Sequence, residues 1–533
     1  MSPLELDQRL VITTPRGSPT DPTRLEIGVR SLCLELPHQP CGHPRRWAWT
    51  VARMDRPILL ETGGGPERFG VAGRWSILTA QPRAWFEITA NAWRFVDPTG
   101  RVESGDDQAR VALRHLIRWA GLDAATNSHV GPAATPTPLP PLSPPPFAGG
   151  LAGFIGYDFG ALLERVPRRA PRRSDLPDVA LGLYDTLVAI DHQRHTTTLW
   201  AFDLLGEGPR HLQHRLEAWK ERLLDAHEAL SPPPPHLDPV RPDRQPEEHC
   251  RAVARAIEYI HAGDIFQVNL AQRFHAAYQG DPLWLHERLM ERAPAPFAAF
   301  VGLSEPNTRR GHGWHDRALV SASPEWFYTV TGDRIVTRPI KGTRPRHPNP
   351  DEDRAEAEAL LNSPKDRAEL TMIVDLERND LGKVCIPGGV RVREPLTLES
   401  HAQVHHLVAT VEGTLKPNAD PATVLEAMFP GGSITGAPKI RAMQIIDELE
   451  PVRRGPYTGA IGWIGRGGSA RFNIAIRTAI IERDQVSFQV GGGIVADSDP
   501  QAEYEETLHK ARGLLDALTL PPPPVRGEPN GLQ

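Results

Sequence analysis

Cysteine is scarce in this chain: four in 533 residues, standing apart in SLCLE, QPCGH, EHCRA and KVCIP. None forms a C-x-x-C pair, which argues against a disulfide framework. Strong charge of either sign is also missing. A net charge of −6 leaves no footprint for nucleic acid or acidic membrane, so any anion must be held by locally placed groups. No apolar run is long enough to span a bilayer. The opening residues, MSPLELDQRLVITTP, lack the basic stretch followed by an apolar one that a secretory signal needs. There is no internal repeat at solenoid spacing. These absences lead to the expectation of a soluble, cytoplasmic protein with no nucleic-acid or membrane partner.

What is present is ordinary in bulk: 40% hydrophobic and 24% charged residues, with a length that suggests about three domains. Proline punctuates it. GPAATPTPLPPLSPPPF, 131–147, reads as a long loop, and SPPPPHLDPVRPDRQPEE as a break with a linker at 236–247. The expected organisation is an N-terminal region over 1–235, a second region over 248–518 and a disordered tail over 519–533. WSILTAQPRAWFEITA and DVALGLYDTLVAIDH read as strands, and EEHCRAVARAIEYIHAG as an amphipathic helix closed by Gly263. RFNIAIRTAIIE, RDQ and VSFQVGG read as strand, turn, strand. Hairpins with intervening helices point to an α+β fold on antiparallel sheet.

Two helical segments carry carboxylates three apart: Asp366 and Glu369 in SPKDRAELTMIVDL, Glu503 and Glu506 in DPQAEYEETLHKA. Residues so spaced share a helix face. Each helix can then aim two acids at one point, where a hard divalent ion would relieve their repulsion. A solvated acidic face is the plainer alternative. In AIRTA, a continuous strand would set Arg477 between Ala475 and Ala479, with room to cover a carboxylate bidentately or to make a structural ion pair. VGGGIVADSD reads as a glycine turn exposing N–H groups to an anion. PGGSITGAPKIRAM reads as opening a helix near Gly436, but Ala437 follows where a P-loop has lysine, so nucleotide binding is rejected. His401, His405 and His406 tempt a zinc reading. VHHLVATV is strand-like, however, and strand positions four apart lie ~13 Å from one another. A ligand-facing His406 is the better expectation, beside a plain core histidine.

In order, AGDIFQVNLAQRF, SASPEWF, RPIKGTRPR, KDRAELTMIVDLERNDLG, VHHLVATVEG, GGSITGAPKIRAMQIIDELE, GPYTGAIGWI, NIAIRTA and GGGIVADSDPQAEYEETLHKA resemble the chorismate-utilising enzymes. ILLET, GRWSILTAQP and GGLAGFIGYDFGALLE extend the likeness more loosely. The resemblance implies two packed antiparallel sheets with helices outside and a cleft for chorismate. It implies Mg²⁺ on Glu369 and Glu506, supported by Asp366 and Glu503, holding the ring carboxylate. Arg477 and Tyr457, with Gly491, Gly492 and Gly493, would meet the enolpyruvyl carboxylate, and Ser433, Thr435 and Gly436 would also line the substrate. Glu325 would protonate the departing 4-hydroxyl, with His406 beside the ring.

Two positions choose among members. Gln267 in IFQVNL stands where water-adding relatives resemble one another in carrying a lysine base, so hydroxide is not the expected nucleophile. Lys341 in PIKGT resembles the aminodeoxychorismate synthase branch, whereas anthranilate synthases resemble PIAGT. Its amine would attack the ring, provided burial, with Arg338 and the metal nearby, offsets Glu325 and leaves it neutral. RIVTRPI reads as the strand before it, ended by Gly342 and Pro345, with Arg338, Arg344 and Arg346 repelling the amine. Ammonia would come from a glutamine amidotransferase partner, since no cysteine sits in a G-x-C-x-G setting. Thr62 in LLET stands where relatives resemble LLES in a tryptophan pocket. A lysine-bearing anthranilate synthase, or a regulatory homologue without catalysis, are the alternatives.

Overall fold

The computed structural model describes residues 11–12, 31–36, 45–63, 65, 70–123, 144–224, 232–304, 315–400 and 404–519. The 131–143 part of the proline-rich loop, His401 and the tail beyond Thr519 lie outside the described residues.

Two antiparallel sheets, of 14 and 12 strands among the described residues, form the body. N- and C-terminal halves of the chain share both. In the larger sheet Ser31–Leu36, Thr196–Phe202, Thr186–Asp191, Trp75–Thr79 and Ile58–Glu61 run directly into Phe297–Gly302, Arg317–Ser323, Thr478–Glu482, Gln485–Ile494 and Gln267–Gln279. The seam is Ile58–Glu61 against Phe297–Gly302, with Leu59 opposite Phe300. In the smaller sheet the seam is Gly150–Ile155 against Ala460–Gly465. No break separates the first region from the second, because each would otherwise leave strand edges unpaired. The 236–247 stretch is also tied in: His236–Leu237 and Arg241–Pro242 pair with Gln267–Gln279.

The sheets face each other through Ile77, Phe154, Tyr184, Trp200, Val301, Trp463 and Ile480, all buried. Helices cover the outer faces. Pro209–Leu224, Pro282–Arg292 and Pro500–Thr519 pack on the larger sheet through Trp219, Leu285 and Leu514. Pro364–Val384 covers the smaller one through Leu370, Pro421–Met428 packs on that helix through Leu425, and Lys439–Leu449 lies against Gln267–Gln279 of the larger sheet. Each such buried side chain contributes roughly 1.5–3 kcal/mol over exposure.

Apolar runs that read as single strands are each two strands in different sheets. Trp75–Thr79 belongs to the larger sheet and Ala84–Thr89 to the smaller; Val179–Tyr184 and Thr186–Asp191 divide likewise at Asp185. Arg317–Ser323 passes to Trp326–Thr331 through Pro324 and Glu325, and Ala470–Ile474 passes to Thr478–Glu482 through Ala475, Ile476 and Arg477. A strand buried on both faces shows no alternation, so hydrophobicity alone does not mark where it crosses. Backbone geometry does. Gln81 and Arg477 have φ of 56° and 50°, which a continuing strand does not allow.

Candidate active site

Glu325 and Arg477 both sit on crossings between the sheets, at the end of the sandwich where Lys341 arrives from a third direction. Pro339 cannot donate to a ladder and ends Arg334–Arg338, so the lysine does not close that strand. It lies in a second one, Ile340–Pro345, opposite Leu407 of Val404–Leu415. Gly342 does not end the strand either. It bulges between Lys341 and Thr343 with φ +71°. A Cβ there would lie 2.8 Å from Leu360 Cδ1 and 3.0 Å from Asp366 Cγ, so glycine lets the helices approach.

The Lys341 ammonium donates to Ser433 O at 3.3 Å. Burial lowers its pKa, and this wins over the Glu369, Glu325 and Glu506 carboxylates, which raise it. The neighbouring arginines do not supply the repulsion expected of them. Arg338 is on Glu399 (2.6 Å), Arg344 on Asp366 (3.1 Å) and Arg346 on Asp353 (2.8 Å). Desolvation does most of that work, helped by Lys510.

Glu325 is buried, and burial raises its pKa against the opposing pull of the Ser433 hydroxyl, Lys341 and the Ile340 N–H. A dry site thus favours a neutral acid beside a neutral amine. Gln267, 1% exposed, is the third member, and its Oε1 has no hydrogen-bond partner. His406 is buried one strand over, its Nδ1 3.0 Å from Thr343 Oγ1. His405 instead bonds Ser400 and Asp353, so the two rings do not share a ligand.

The three glycines form no turn. Gly491, Gly492 and Gly493 lie inside Gln485–Ile494 and pair with Ala271, Leu270 and Asn269. They are glycine for space. A Cβ on Gly493 would lie 2.2 Å from Gln267 Nε2 and 3.7 Å from Lys341 Nζ; on Gly492, 3.0 Å from Glu503 Oε2 and 3.7 Å from Glu506 Oε1. This strand is the floor of the cleft. Gly436 likewise opens no helix: Gly436–Ala437 bridges to Val268 and Gln267, and the helix starts at Lys439. A Cβ on Gly436 would meet Gln267 O at 2.1 Å. Thr435 is buried, its hydroxyl donating to Gly431 O at 3.0 Å, and its carbonyl accepts the Asn269 N–H at 2.8 Å.

Asp366 and Glu369 lie on Pro364–Val384, Glu503 and Glu506 on Pro500–Thr519. They do not form one four-acid cage. Asp366 is held by Arg344, and Glu503 accepts the Ser498 hydroxyl at 2.6 Å. Among the described residues no three His, Cys, Asp or Glu side chains gather as a metal-holding group. Glu369 and Glu506 remain, close enough that Glu506 helps raise the Glu369 pKa, although burial is the larger cause. For Glu506, burial pulls up but Lys510, 2.7 Å away, leaves its pKa lowered. Glu369 and Glu506, the latter paired to Lys510, supply two neighbouring carboxylates, within the one or two that Mg²⁺ takes before filling its octahedron with water and substrate oxygens.

Arg477 makes no ion pair among the described residues, and burial lowers its pKa. A desolvated guanidinium without a carboxylate is a place for an anionic ligand. The backbone beside Tyr457 is tied to the same crossing, Thr458 N–H donating to Ala475 O and Ala475 N–H to Gly459 O at 2.9 and 2.8 Å, while the Tyr457 ring lies 5.7 Å from the Arg454 guanidinium. Lys510 was not among the residues expected here, yet it bonds both Glu506 and Gly491 O (2.9 Å). Its i,i+4 spacing from Glu506 was the available signal.

Thr62 is buried with its hydroxyl unpartnered, at the end of the Ile58–Glu61 strand. Beside it a small cavity of about 50 Å³ between the sheets is lined by Glu61, Trp75, Phe297, Trp463 and Asn473. That is well below the ~300–1,000 Å³ of small-molecule sites.

A family model described as chorismate binding enzyme matches residues 76–516. Aminodeoxychorismate synthase component 1 of Salmonella typhimurium is 42% identical over 384 residues, 72% of this chain and 79% of its own. Anthranilate synthase component 1 of Thermus thermophilus is 40% identical, over 70% and 79% respectively. The crystal structure of anthranilate synthase component I from Streptococcus pneumoniae superposes with a TM-score of 0.68 at 31% identity, over 83% of this chain and 92% of that one.

Proposed function

This chain belongs to the chorismate binding enzyme family, and from that membership we propose that it is an aminodeoxychorismate synthase component 1. It converts chorismate and ammonia to 4-amino-4-deoxychorismate, a precursor of 4-aminobenzoate and folate. The observation that carries this reading is the Lys341 amine, desolvated next to Glu325 and the non-basic Gln267. The named relatives at 42–44% identity agree with it.

In the reaction the neutral Lys341 amine adds at ring C2, both ring double bonds shift (C1=C2 to C1=C6 and C5=C6 to C4=C5), and the C4–O bond breaks. Glu325 gives its proton to the departing hydroxyl, which leaves as water. Ammonia then adds at C4, the two double bonds shift back as the C2–N bond breaks with its electron pair returning to the Lys341 nitrogen, and the new C4 ammonium gives a proton back to Glu325. Burial serves both groups, since only the neutral amine attacks and only the neutral acid donates. Gln267 cannot take a proton from water, so hydroxide is not generated at this position. Arg477 and Tyr457 hold the enolpyruvyl carboxylate, with Ser433 and His406 beside the ring. Glu369 and Glu506 would hold Mg²⁺, which neutralises and orients the ring carboxylate.

Ammonia reaches the cleft from a glutamine amidotransferase partner. Burial pushes the Cys33 and Cys385 thiols up to about 11, and Cys250 is raised as well, the reverse of an activated glutaminase thiolate. The cavity by Thr62, among Trp75, Phe297 and Trp463, would have to widen before it could take a tryptophan ring. The deciding experiment is the mass of the product from chorismate, ammonium and Mg²⁺. Aminodeoxychorismate, with its enolpyruvyl group retained, is expected. Fluorescent anthranilate would favour the second reading, an anthranilate synthase, which the 38% identity to the Synechocystis enzyme over 88% of the chain keeps in view.

A further inference from the structure

Behind the cleft, on the face of Pro364–Val384 turned inward, a carboxyl group is buried that the chemistry above does not use. Glu377 is 3% exposed, and its Oε1 accepts the Gly432 N–H at 3.3 Å while Oε2 has no partner. Gly432 is pressed against it, for a Cβ there would lie 2.7 Å from Leu376 Cδ2 and 3.2 Å from Glu377 Oε1. The next residue is the hub of the site. Ser433 accepts the Lys341 ammonium through its carbonyl and gives its hydroxyl to Glu325. We propose that Glu377 is a positioning residue: its carboxyl props the Gly432–Ser433 segment from behind and thereby sets Lys341 against Glu325.

Charged groups face Glu377 from three sides. On its own helix Asp380 binds Lys383 (2.8 Å); from the next helix Lys439 binds Asp380 (2.5 Å) and Met428 O (3.4 Å); Glu325 lies beyond Ser433. Both lysines are thus committed to Asp380, and Glu377 has no counter-ion. Burial, then Asp380, push its carboxyl up to about 8, with Glu325 adding and Lys439 and the Gly432 N–H opposing. The prop is accordingly neutral at pH 7 and gains a bare charge above about 8. Relief then requires water, or Lys439 drawn off Met428 O, and either shifts Ser433. The acidic form is therefore the competent one, and turnover falls on the alkaline side.

This inference rests on the proposed reaction and is tested on chorismate consumption with ammonium, whatever the product. Glu377→Gln keeps the shape and cannot ionise; it should hold neutral-pH kcat within about threefold while losing the alkaline limb near pH 8. Glu377→Leu should lower kcat on the order of tenfold to a hundredfold with chorismate KM little changed, the signature of displaced groups rather than lost binding. The inference is overturned if Glu377→Gln keeps the wild-type alkaline limb, or if a folded Glu377→Leu turns over normally. Should Glu377→Leu fail to fold, the Gln pH profile decides alone. Wild-type protein that consumes no chorismate would instead refute the proposed function.

Discussion

Adding one methyl group at Gly493 separates the cleft chemistry from fold stability. The Gly493 backbone is paired to Asn269 in an extended strand, and its φ is not in the left-handed region, so alanine is tolerated by the backbone. Its Cβ would, however, stand 2.2 Å from Gln267 Nε2, where ordinary contact begins at 3.4 Å. The two must part by about 1.2 Å. The obstructing atom is the end of a side chain, so Gln267 yields by rotating, and the cost falls at the low end of the ~1–3 kcal/mol for an overpacked site. The rotation takes the amide out of its place beside Lys341, and a misplacement of this size lowers rate on the order of 10²-fold. Gly493→Ala should thus melt within a few degrees of the parent protein (roughly 2–4 °C per kcal/mol) yet lose about two orders of magnitude in kcat/KM for chorismate. Turnover within threefold of the parent would refute the argument that Gln267 and Lys341 share this space. Gly492→Ala is the control, because its Cβ meets Glu503 and Glu506 instead, and it should raise the Mg²⁺ requirement.

Lys341→Ala and Lys341→Arg should each lose ~10²-fold or more in turnover while still binding chorismate, because arginine keeps the charge but stays protonated. Wild-type protein with chorismate and no ammonia should show a mass adduct on the Lys341 peptide; no adduct, with an active arginine variant, makes the lysine an electrostatic contact. Only the free amine attacks and burial lowers its pKa, so the acidic limb of the rate profile, before the alkaline fall set by Glu377, should have its midpoint below the ordinary ~10.4. That limb should vanish in any residual activity of the arginine variant. Glu369→Gln and Glu506→Gln should raise the Mg²⁺ concentration for half-maximal rate by at least ~10–100-fold; full turnover of either at limiting Mg²⁺ contradicts the assignment. The purified chain should use ammonium but not glutamine until an amidotransferase subunit is added, and glutamine turnover by the chain alone would show otherwise.

The sequence by itself determined the local pieces. Three-apart acids in helical context put Asp366 with Glu369, and Glu503 with Glu506, on real helices. VHHLVATV formed its strand, and the Gly263 stop ended its helix, because periodicity and turn chemistry act within a few residues. Gln267 and Lys341 were legible as a pair because side-chain chemistry at fixed motif positions does not depend on knowing the path between them. The tertiary structure decided where the chain crosses between sheets. Glu325 and Arg477 owe their places to those crossings, and apolar runs buried on both faces leave no periodic mark of a crossing. It also decided that three glycines make a strand floor rather than a turn, since their need is for space beside Gln267, Glu503 and Glu506. Finally, it set the direction in which the Lys341 pKa moves. Three arginines close to it in sequence were turned to their own carboxylates, and burial, a property of the assembled cleft, was left as the main cause lowering the pKa of the amine.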